Sequence, residues 1–160
     1  MKVAHFVGNH SGDIMSARLG WWITKRVQKG IYSGTTHCEA IHAEHSDGSV
    51  TIASSSLRDG GVRDKIVQLN PLNWRIVEVP SWDVQLSIDL LQKTRGAGYD
   101  LRGAIATVFI GSPQDGRFFC DQWVGTPYMP APATFGPHQF HALTLGFGRD
   151  ITSEFFTIRK

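Results

Sequence analysis

Cysteine is scarce in this 160-residue sequence, which contains only Cys38 and Cys120. Two cysteines cannot make a disulfide-rich scaffold, and a chain of this length buries enough surface to fold without crosslinks, so we interpret both as free thiols. No stretch approaches the roughly 18 continuous apolar residues of a membrane-spanning helix, and residues 1–8 lack the apolar region of a signal peptide. These absences favour a protein without a membrane span and with a cytoplasmic location.

An excess of charge of one sign is also missing, because 16 Lys and Arg stand against 14 Asp and Glu. The basic residues are scattered along the chain, so no basic stripe indicates a nucleic-acid partner. Apolar residues make up 41% of the sequence and charged residues 19%, which is typical of an ordered globular protein. There are no internal repeats and no long linker, so we predict a single domain over residues 1–160.

Segments with strand-like alternation are grouped in the first half of the chain. The pattern predicts strands over residues 2–7, 35–44, 50–54, 62–69 and 74–79, with an Asp-Gly hairpin turn between the second and the third. Helical periodicity and capping residues predict helices over 13–30, 83–96, 101–110, 118–124 and 138–145, followed by a last strand over 151–158. Grouped strands with helices before and after them indicate an α+β fold, with an antiparallel sheet of about five strands packed against helices.

Cys120 is the candidate nucleophile, because it is predicted to lie in the first turn of a short helix, where a thiolate is stabilised. Composition alone favours another interpretation, a small buried side chain among Phe118, Phe119 and Trp123. Cys38 lies within a predicted strand, and we interpret it as a packing residue without a catalytic role.

His37 begins the second predicted strand, which would fix its imidazole on a rigid element. Strand alternation places His37 and Glu39 on one face, with Cys38 and His42 on the other. The spacing from His37 to His42 and His45 could suggest a metal site, but alternation separates the first two and no further ligand completes a tetrahedron. We therefore predict no metal and no cofactor.

Five segments follow one another in an order that is more specific than any single motif. They are RLGWWIT at 18–24, YSGTTHCE at 32–39, SSSLRDGGVR at 54–63, YDLRG at 99–103 and FCDQW at 119–123. In this order they resemble the tryptophan-rich helix, the YSHxE strand, the SSxRDGGVR segment, and the YD(x)xG and (F/Y)CSEW segments of one family. That family is the permuted NlpC-type papain-like cysteine hydrolases, the YiiX-type group, especially small versions found in phage genomes. The resemblance spans about residues 1–145.

The resemblance implies a circularly permuted papain-like fold and acyl transfer, with Cys120 as the nucleophile and His37 as its base. The implied substrate is a peptide-like amide, with cell-wall peptides as the leading candidate, although relatives also include acyltransferases and lipid hydrolases. Tyr99 matches the tyrosine that the family places near the oxyanion, and we assign Glu39 to the same oxyanion or substrate region.

In this family a third polar group on the next strand orients the imidazole. We choose Ser54 for this role, while Ser55, Glu39 and Glu44 are polar residues nearby that could also fill it.

Asp121 and Gln122 stand where the family usually has Ser and Glu. At the start of a helix we expect the Asp121 side chain to cap outward. The altered residues support a second candidate function, a non-catalytic binding or virion-associated module on the same fold. If the protein is phage-encoded, it would act in the host cell or in the virion.

Overall fold

The computed structural model describes residues 1–8, 34–106, 115–130 and 135–158. The strands are β1 (Lys2–Phe6), β2 (His37–Glu44), β3 (Val50–Ser56), β4 (Gly61–Val67), β5 (Trp74–Glu78) and β6 (Arg149–Asp150). The helices of the described ranges are α1 (Val84–Thr94), α2 (Leu101–Ala106), α3 (Cys120–Gly125), α4 (Pro137–Phe147) and α5 (Thr152–Thr157). The strands form one antiparallel sheet in the order β4-β3-β2-β1-β5-β6.

The turn between β2 and β3 fixes how these two strands pair. Gly48 has a φ of 81°, in the left-handed region that glycine adopts without steric cost. Asp47 Oδ1 accepts hydrogen bonds from the backbone N–H and the hydroxyl of Ser49, at 2.9 and 2.7 Å. The turn places Ala40 opposite Ala53, and the following ladder places Ser54 opposite Arg63.

Both faces of the sheet are apolar, and each is covered by different helices. Strand alternation sends Val3 and Ala40 to one face, where α1, α3 and α4 cover them with Leu91, Trp123 and Phe140. The opposite face is covered by α5, and it is formed by a smaller cluster that contains Ala4, Ile41, Val50, Ile52, Ile76, Ile151 and Phe155. Cys38 and Cys120 both belong to the first and larger cluster.

The α+β class and the antiparallel sheet are confirmed, with six strands among the described residues rather than about five. The predicted strand over 151–158 is wrong, because β6 is only Arg149–Asp150 and the following residues form α5. Asp150 Oδ1 accepts a hydrogen bond from the N–H of Thr152 at 2.8 Å, which satisfies one of the free N–H groups of a helix start. Phe155 then packs on the sheet, and this burial outweighs the strand preference of the β-branched residues.

One predicted helix lies entirely outside the described residues, and a second is described only in part. The predicted helix over 13–30 lies outside them, as does the part of the 101–110 prediction that follows Ala106. In the ranges that are described, no helix has the length and apolar character needed to cross a bilayer.

Candidate active site

Cys120 is the first residue of α3, which packs against β2 and β3. Phe119 before it has an extended backbone, with φ −103° and ψ 170°, so the helix begins at the cysteine. The side chain of Cys120 lies in the larger apolar cluster and is only 3% exposed. The sheet and the helix therefore hold this thiol rigidly against β2.

His37 is the first residue of β2, and its ring lies near the Cys120 thiol, because each of the two groups shifts the pKa of the other. The other contact of the ring is from Nε2 to Glu39 Oε1, at 2.8 Å. Burial lowers the pKa of His37, but the charges of Cys120 and Glu39 outweigh burial and raise this pKa to about 10. The structure thus brings Cys120 and His37 together and favours an imidazolium beside the thiol.

Glu39 holds His37 from one side and is itself held by Arg63. The Arg63 Nη1 and Nη2 atoms donate to Glu39 Oε2 and Oε1, each at 2.7 Å. Burial alone would raise the pKa of Glu39, but the charge of His37 and the hydrogen bonds from His37 and Arg63 lower it to about 2. Arg63 Nε also donates to Asp59 at 2.6 Å, and Lys65 donates to the same carboxylate at 2.9 Å. Charges of alternating sign therefore extend from the surface to the imidazole.

Cys38 and Asp121 complete the surroundings of the Cys120 thiol. Cys38 Sγ donates to Asp121 Oδ1 at 3.0 Å, and Cys120 Sγ lies 3.4 Å from the same oxygen. The neighbouring Cys38 thiol and the charge of His37 hold the pKa of Cys120 well below its usual range, in spite of burial. Burial and the hydrogen bond with Cys120 raise the pKa of Cys38. The interpretation of Cys38 as a packing residue alone is therefore incomplete, because its thiol contacts the candidate nucleophile.

The expectation that Asp121 caps outward is wrong. Asp121 is fully buried, and it faces Cys38 and Cys120 rather than solvent. Because the helix begins at Cys120, the aspartate is its second residue and its side chain turns toward the sheet. Burial and the nearby Cys120 charge raise the pKa of Asp121 well above its usual range.

Tyr99 lies close to the site through a parallel bridge with Phe118. The Phe118 carbonyl oxygen accepts hydrogen bonds from the N–H of Asp100 at 2.9 Å and from the Ser55 hydroxyl at 2.5 Å. Burial and the charge of Cys120 raise the pKa of Tyr99 well above its usual value, so its phenol keeps its proton and is a hydrogen-bond donor. Its assignment to the oxyanion region stays a prediction.

The choice of Ser54 as the group that orients the imidazole is wrong. The Ser54 hydroxyl is directed at the carbonyl oxygen of Ser55, at 3.4 Å, and Glu39 is the residue that contacts His37. His37 and Glu39 share one face of β2 two residues apart, so the long glutamate side chain reaches the ring, whereas the short Ser54 side chain on β3 bonds within its own strand. The Ser55 hydroxyl bonds to the backbone of Phe118, and Glu44 forms an ion pair with Lys2 at the far end of β2, so each of these two residues has a different partner.

The two other histidines of the suspected metal spacing have their own partners. His42 Nε2 lies 2.9 Å from Ser87 Oγ, and His45 Nε2 lies 2.8 Å from Thr51 Oγ1. In the part of the chain that the structure describes, these histidines do not form a metal-ligating group with His37.

Comparison with known proteins identifies no family. No family model, no curated protein and no solved structure matches this chain. A functional conclusion therefore depends on the geometry of Cys120, His37 and Glu39, with the motif resemblance as support.

Sequence reasoning missed Arg63 and the inward position of Asp121. Arg63 lies on β4 and reaches Glu39 on β2 across β3, where Ser54 is small enough to leave room for the guanidinium and its carbonyl oxygen accepts from Nη1 at 3.3 Å. The signal that could have revealed Arg63 is the RDGGVR segment, which places a basic residue just after a glycine turn at the start of a predicted strand.

Proposed function

We propose that this protein is a cysteine hydrolase that cleaves an amide bond of a peptide-like substrate through a thioester on Cys120. The observation that carries the proposal is the placement of His37 between the Cys120 thiol, whose pKa it shifts, and the Glu39 carboxylate, which lies 2.8 Å from its Nε2 atom. A nucleophile, a base and an orienting carboxylate in that order are the arrangement that activates a thiol for acyl transfer.

In the proposed mechanism, His37 takes the proton of Cys120 and the thiolate attacks the carbonyl carbon. The His37 imidazolium then gives its proton to the leaving amine, and a thioester remains on Cys120. Water, deprotonated by His37, attacks the thioester and releases the acid with the thiol restored. Glu39 stabilises the imidazolium throughout, and Tyr99 is the candidate donor to the oxyanion.

The motif resemblance supports a circularly permuted papain-like arrangement, with the histidine on a strand and the cysteine at a helix start. It also supports a peptide-like substrate, with cell-wall peptides as the leading candidate. Acyl transfer to another acceptor, or lipid hydrolysis, would use the same thioester.

A second candidate is a non-catalytic binding module on the same fold. Two observations favour it: Cys120 is only 3% exposed, and the Asp121 carboxylate, which would disfavour a neighbouring thiolate, is buried beside it.

Alkylation of the native protein by iodoacetamide, followed by mass analysis of each cysteine peptide, distinguishes the two candidates. For a hydrolase we expect Cys120 to react at a pH well below the ordinary thiol range of about 8.5, and much faster than Cys38. His37→Ala should move the Cys120 profile toward the ordinary range, and His45→Ala is the matched control, because its ring bonds to Thr51. Equal and slow alkylation of both thiols would support the binding module and contradict the hydrolase.

A further inference from the structure

Besides the chain of Cys120, His37 and Glu39, the structure contains a second arrangement around the same thiol. The Sγ atoms of Cys38 and Cys120 and a carboxylate oxygen of Asp121 all lie within 4.8 Å of one another, and all three residues are buried. We propose that these three side chains form a binding site for a thiophilic divalent cation of the Zn²⁺ type, which inhibits the enzyme by taking Cys120 as a ligand. The binding site depends on geometry alone, whereas the inhibition rests on the proposed hydrolase function.

The distances between the ligand atoms fit a tetrahedral ion. With usual Zn–S and Zn–O bonds of about 2.3 and 2.0 Å at the tetrahedral angle, a sulfur and an oxygen ligand lie about 3.5 Å apart. The two measured distances to Asp121 Oδ1 are 3.0 Å from Cys38 Sγ and 3.4 Å from Cys120 Sγ. A shift of about 0.5 Å at Cys38 would therefore bring both sulfurs to the sulfur–oxygen spacing of a tetrahedral site, and the two sulfurs lie within 4.8 Å of each other.

Asp121 supplies a second, independent indication of a ligand. Its side chain is fully buried, and its Oδ2 atom has no hydrogen-bond partner within the described ranges. A buried carboxylate oxygen without a partner is energetically costly, and natural proteins rarely retain one without a reason. A cation bound between the two sulfurs and this carboxylate would balance its buried charge, and it would give Oδ2 a partner where both carboxylate oxygens bind the ion.

The ligand types select the class of ion. Two thiolate sulfurs favour Zn²⁺ and similar soft ions over Mg²⁺ and Ca²⁺, which prefer sets of oxygen ligands. Three protein ligands leave the fourth tetrahedral position for a water molecule.

Binding needs no oxidant or reductant. The ion replaces the thiol proton that Cys38 donates to Asp121, and this proton goes to solvent, as does any proton on Cys120 or on the Asp121 carboxylate. The sulfur electron pair of Cys120 that would attack a carbonyl then forms a bond to the metal. The nucleophile is therefore lost until a chelator removes the ion.

Titration of the reduced, chelator-treated protein with Co²⁺ tests the site directly. We expect one equivalent to give a thiolate-to-metal charge-transfer band together with the visible bands of a tetrahedral site. Cys38→Ser should lose most of the charge-transfer intensity. Asp121→Asn should weaken binding at least about tenfold, because even groups that only support metal ligands contribute that much. Asp64→Asn is the matched control, since this carboxylate pairs with Arg95 at the surface.

A measurement on the unmodified protein covers the case in which a variant does not fold. One equivalent of Zn²⁺ should protect both Cys38 and Cys120 from alkylation in the native state, and a chelator should restore the reactivity of Cys120. A Co²⁺ spectrum without charge transfer, a spectrum that survives in Cys38→Ser, or alkylation unaffected by Zn²⁺ would overturn the site.

The inhibition is tested separately, by hydrolysis of p-nitrophenyl acetate with and without one equivalent of Zn²⁺. We expect Zn²⁺ to abolish turnover and a chelator to restore it, with each variant compared with its own metal-free rate. Metal binding with unchanged turnover would overturn the inhibition and leave the site. Metal binding by a protein that never reacts with the ester at Cys120 would contradict the proposed hydrolase instead.

Discussion

Replacement of Glu39 by glutamine is the sharpest test of the site, because it removes one charge and almost no volume. Oε1 of Glu39 accepts from both His37 Nε2 and Arg63 Nη2, whereas Oε2 accepts from Arg63 Nη1. The glutamine oxygen should take the Oε1 position, where it satisfies two donors, and the amide nitrogen should then face Nη1. His37 would keep a hydrogen bond, but to a neutral partner.

The loss expected from this change follows from the strength of the two kinds of hydrogen bond. A bond to a charged group contributes about 1.5–3 kcal/mol and a neutral one about 1 kcal/mol. The difference of about 0.5–2 kcal/mol corresponds to a decrease in kcat/KM of about 2- to 30-fold. Folding stability should also fall by about 3 kcal/mol, because Arg63 keeps only part of its buried ion pairing.

Hydrolysis of p-nitrophenyl acetate gives kcat/KM for Glu39→Gln, and urea unfolding gives its stability. The pH profile of Cys120 alkylation should move to higher pH, because a weaker imidazolium stabilises the thiolate less. Glu44→Gln is the control on the same strand, and since its ion pair with Lys2 is partly exposed, we expect less than about 1 kcal/mol of change. Unchanged kcat/KM in a folded Glu39→Gln protein, or an equal loss in Ser54→Ala, would refute the role of Glu39.

Three further predictions concern the thiol pair, the glycine turn and acid stability. Cys38→Ala removes the neighbouring thiol that contributes most to the low pKa of Cys120, so the midpoint of Cys120 alkylation should rise; a midpoint that stays or falls contradicts this. Gly61→Ala should lower the free energy of unfolding in urea by about 1–3 kcal/mol more than Gly60→Ala. Both glycines have positive φ, but only at Gly61 would a Cβ meet a backbone oxygen, at 2.0 Å; equal losses would contradict this reasoning. The folded pKa of Glu39 is lowered to about 2, so its stabilisation is present above the unfolded value of about 4.3 and is lost as pH falls toward 2. The free energy of unfolding should therefore fall less with decreasing pH in Glu39→Gln than in the unmodified protein. The same pH dependence in both proteins would contradict the ion pair.

The sequence by itself determined the parts of the fold that depend on neighbouring residues. The Asp-Gly turn at residues 47 and 48 predicted the β2–β3 hairpin, and the helix predicted over 83–96 matches α1, which begins after its N-cap Asp83, where the carboxylate accepts from the N–H of Gln85 at 2.9 Å. Alternation also placed His37 and Glu39 on one face. The turn, the cap and the alternation each depend on residues that are close in sequence, so they can be predicted from the sequence pattern.

The pairing of Cys120 with His37 came from the order of motifs, and their catalytic roles stay predictions. The sequence did not indicate which polar group contacts the imidazole. Arg63 supports Glu39 from 24 residues away, and this contact exists only because the strand order places β4 beside β3 and β3 beside β2. A pattern of neighbouring residues does not indicate which strands lie side by side in the sheet.

Only the tertiary structure decided where Asp121 points. Local rules place an aspartate near a helix start in solvent, where it can cap. Because α3 packs on β2 and β3, the second residue of the helix turns inward and its carboxylate meets the thiols of Cys38 and Cys120. The contact between Cys38 and Asp121 joins residues that are 83 positions apart in the chain. It depends on how the helix packs on the sheet, and this packing is a property of the whole core.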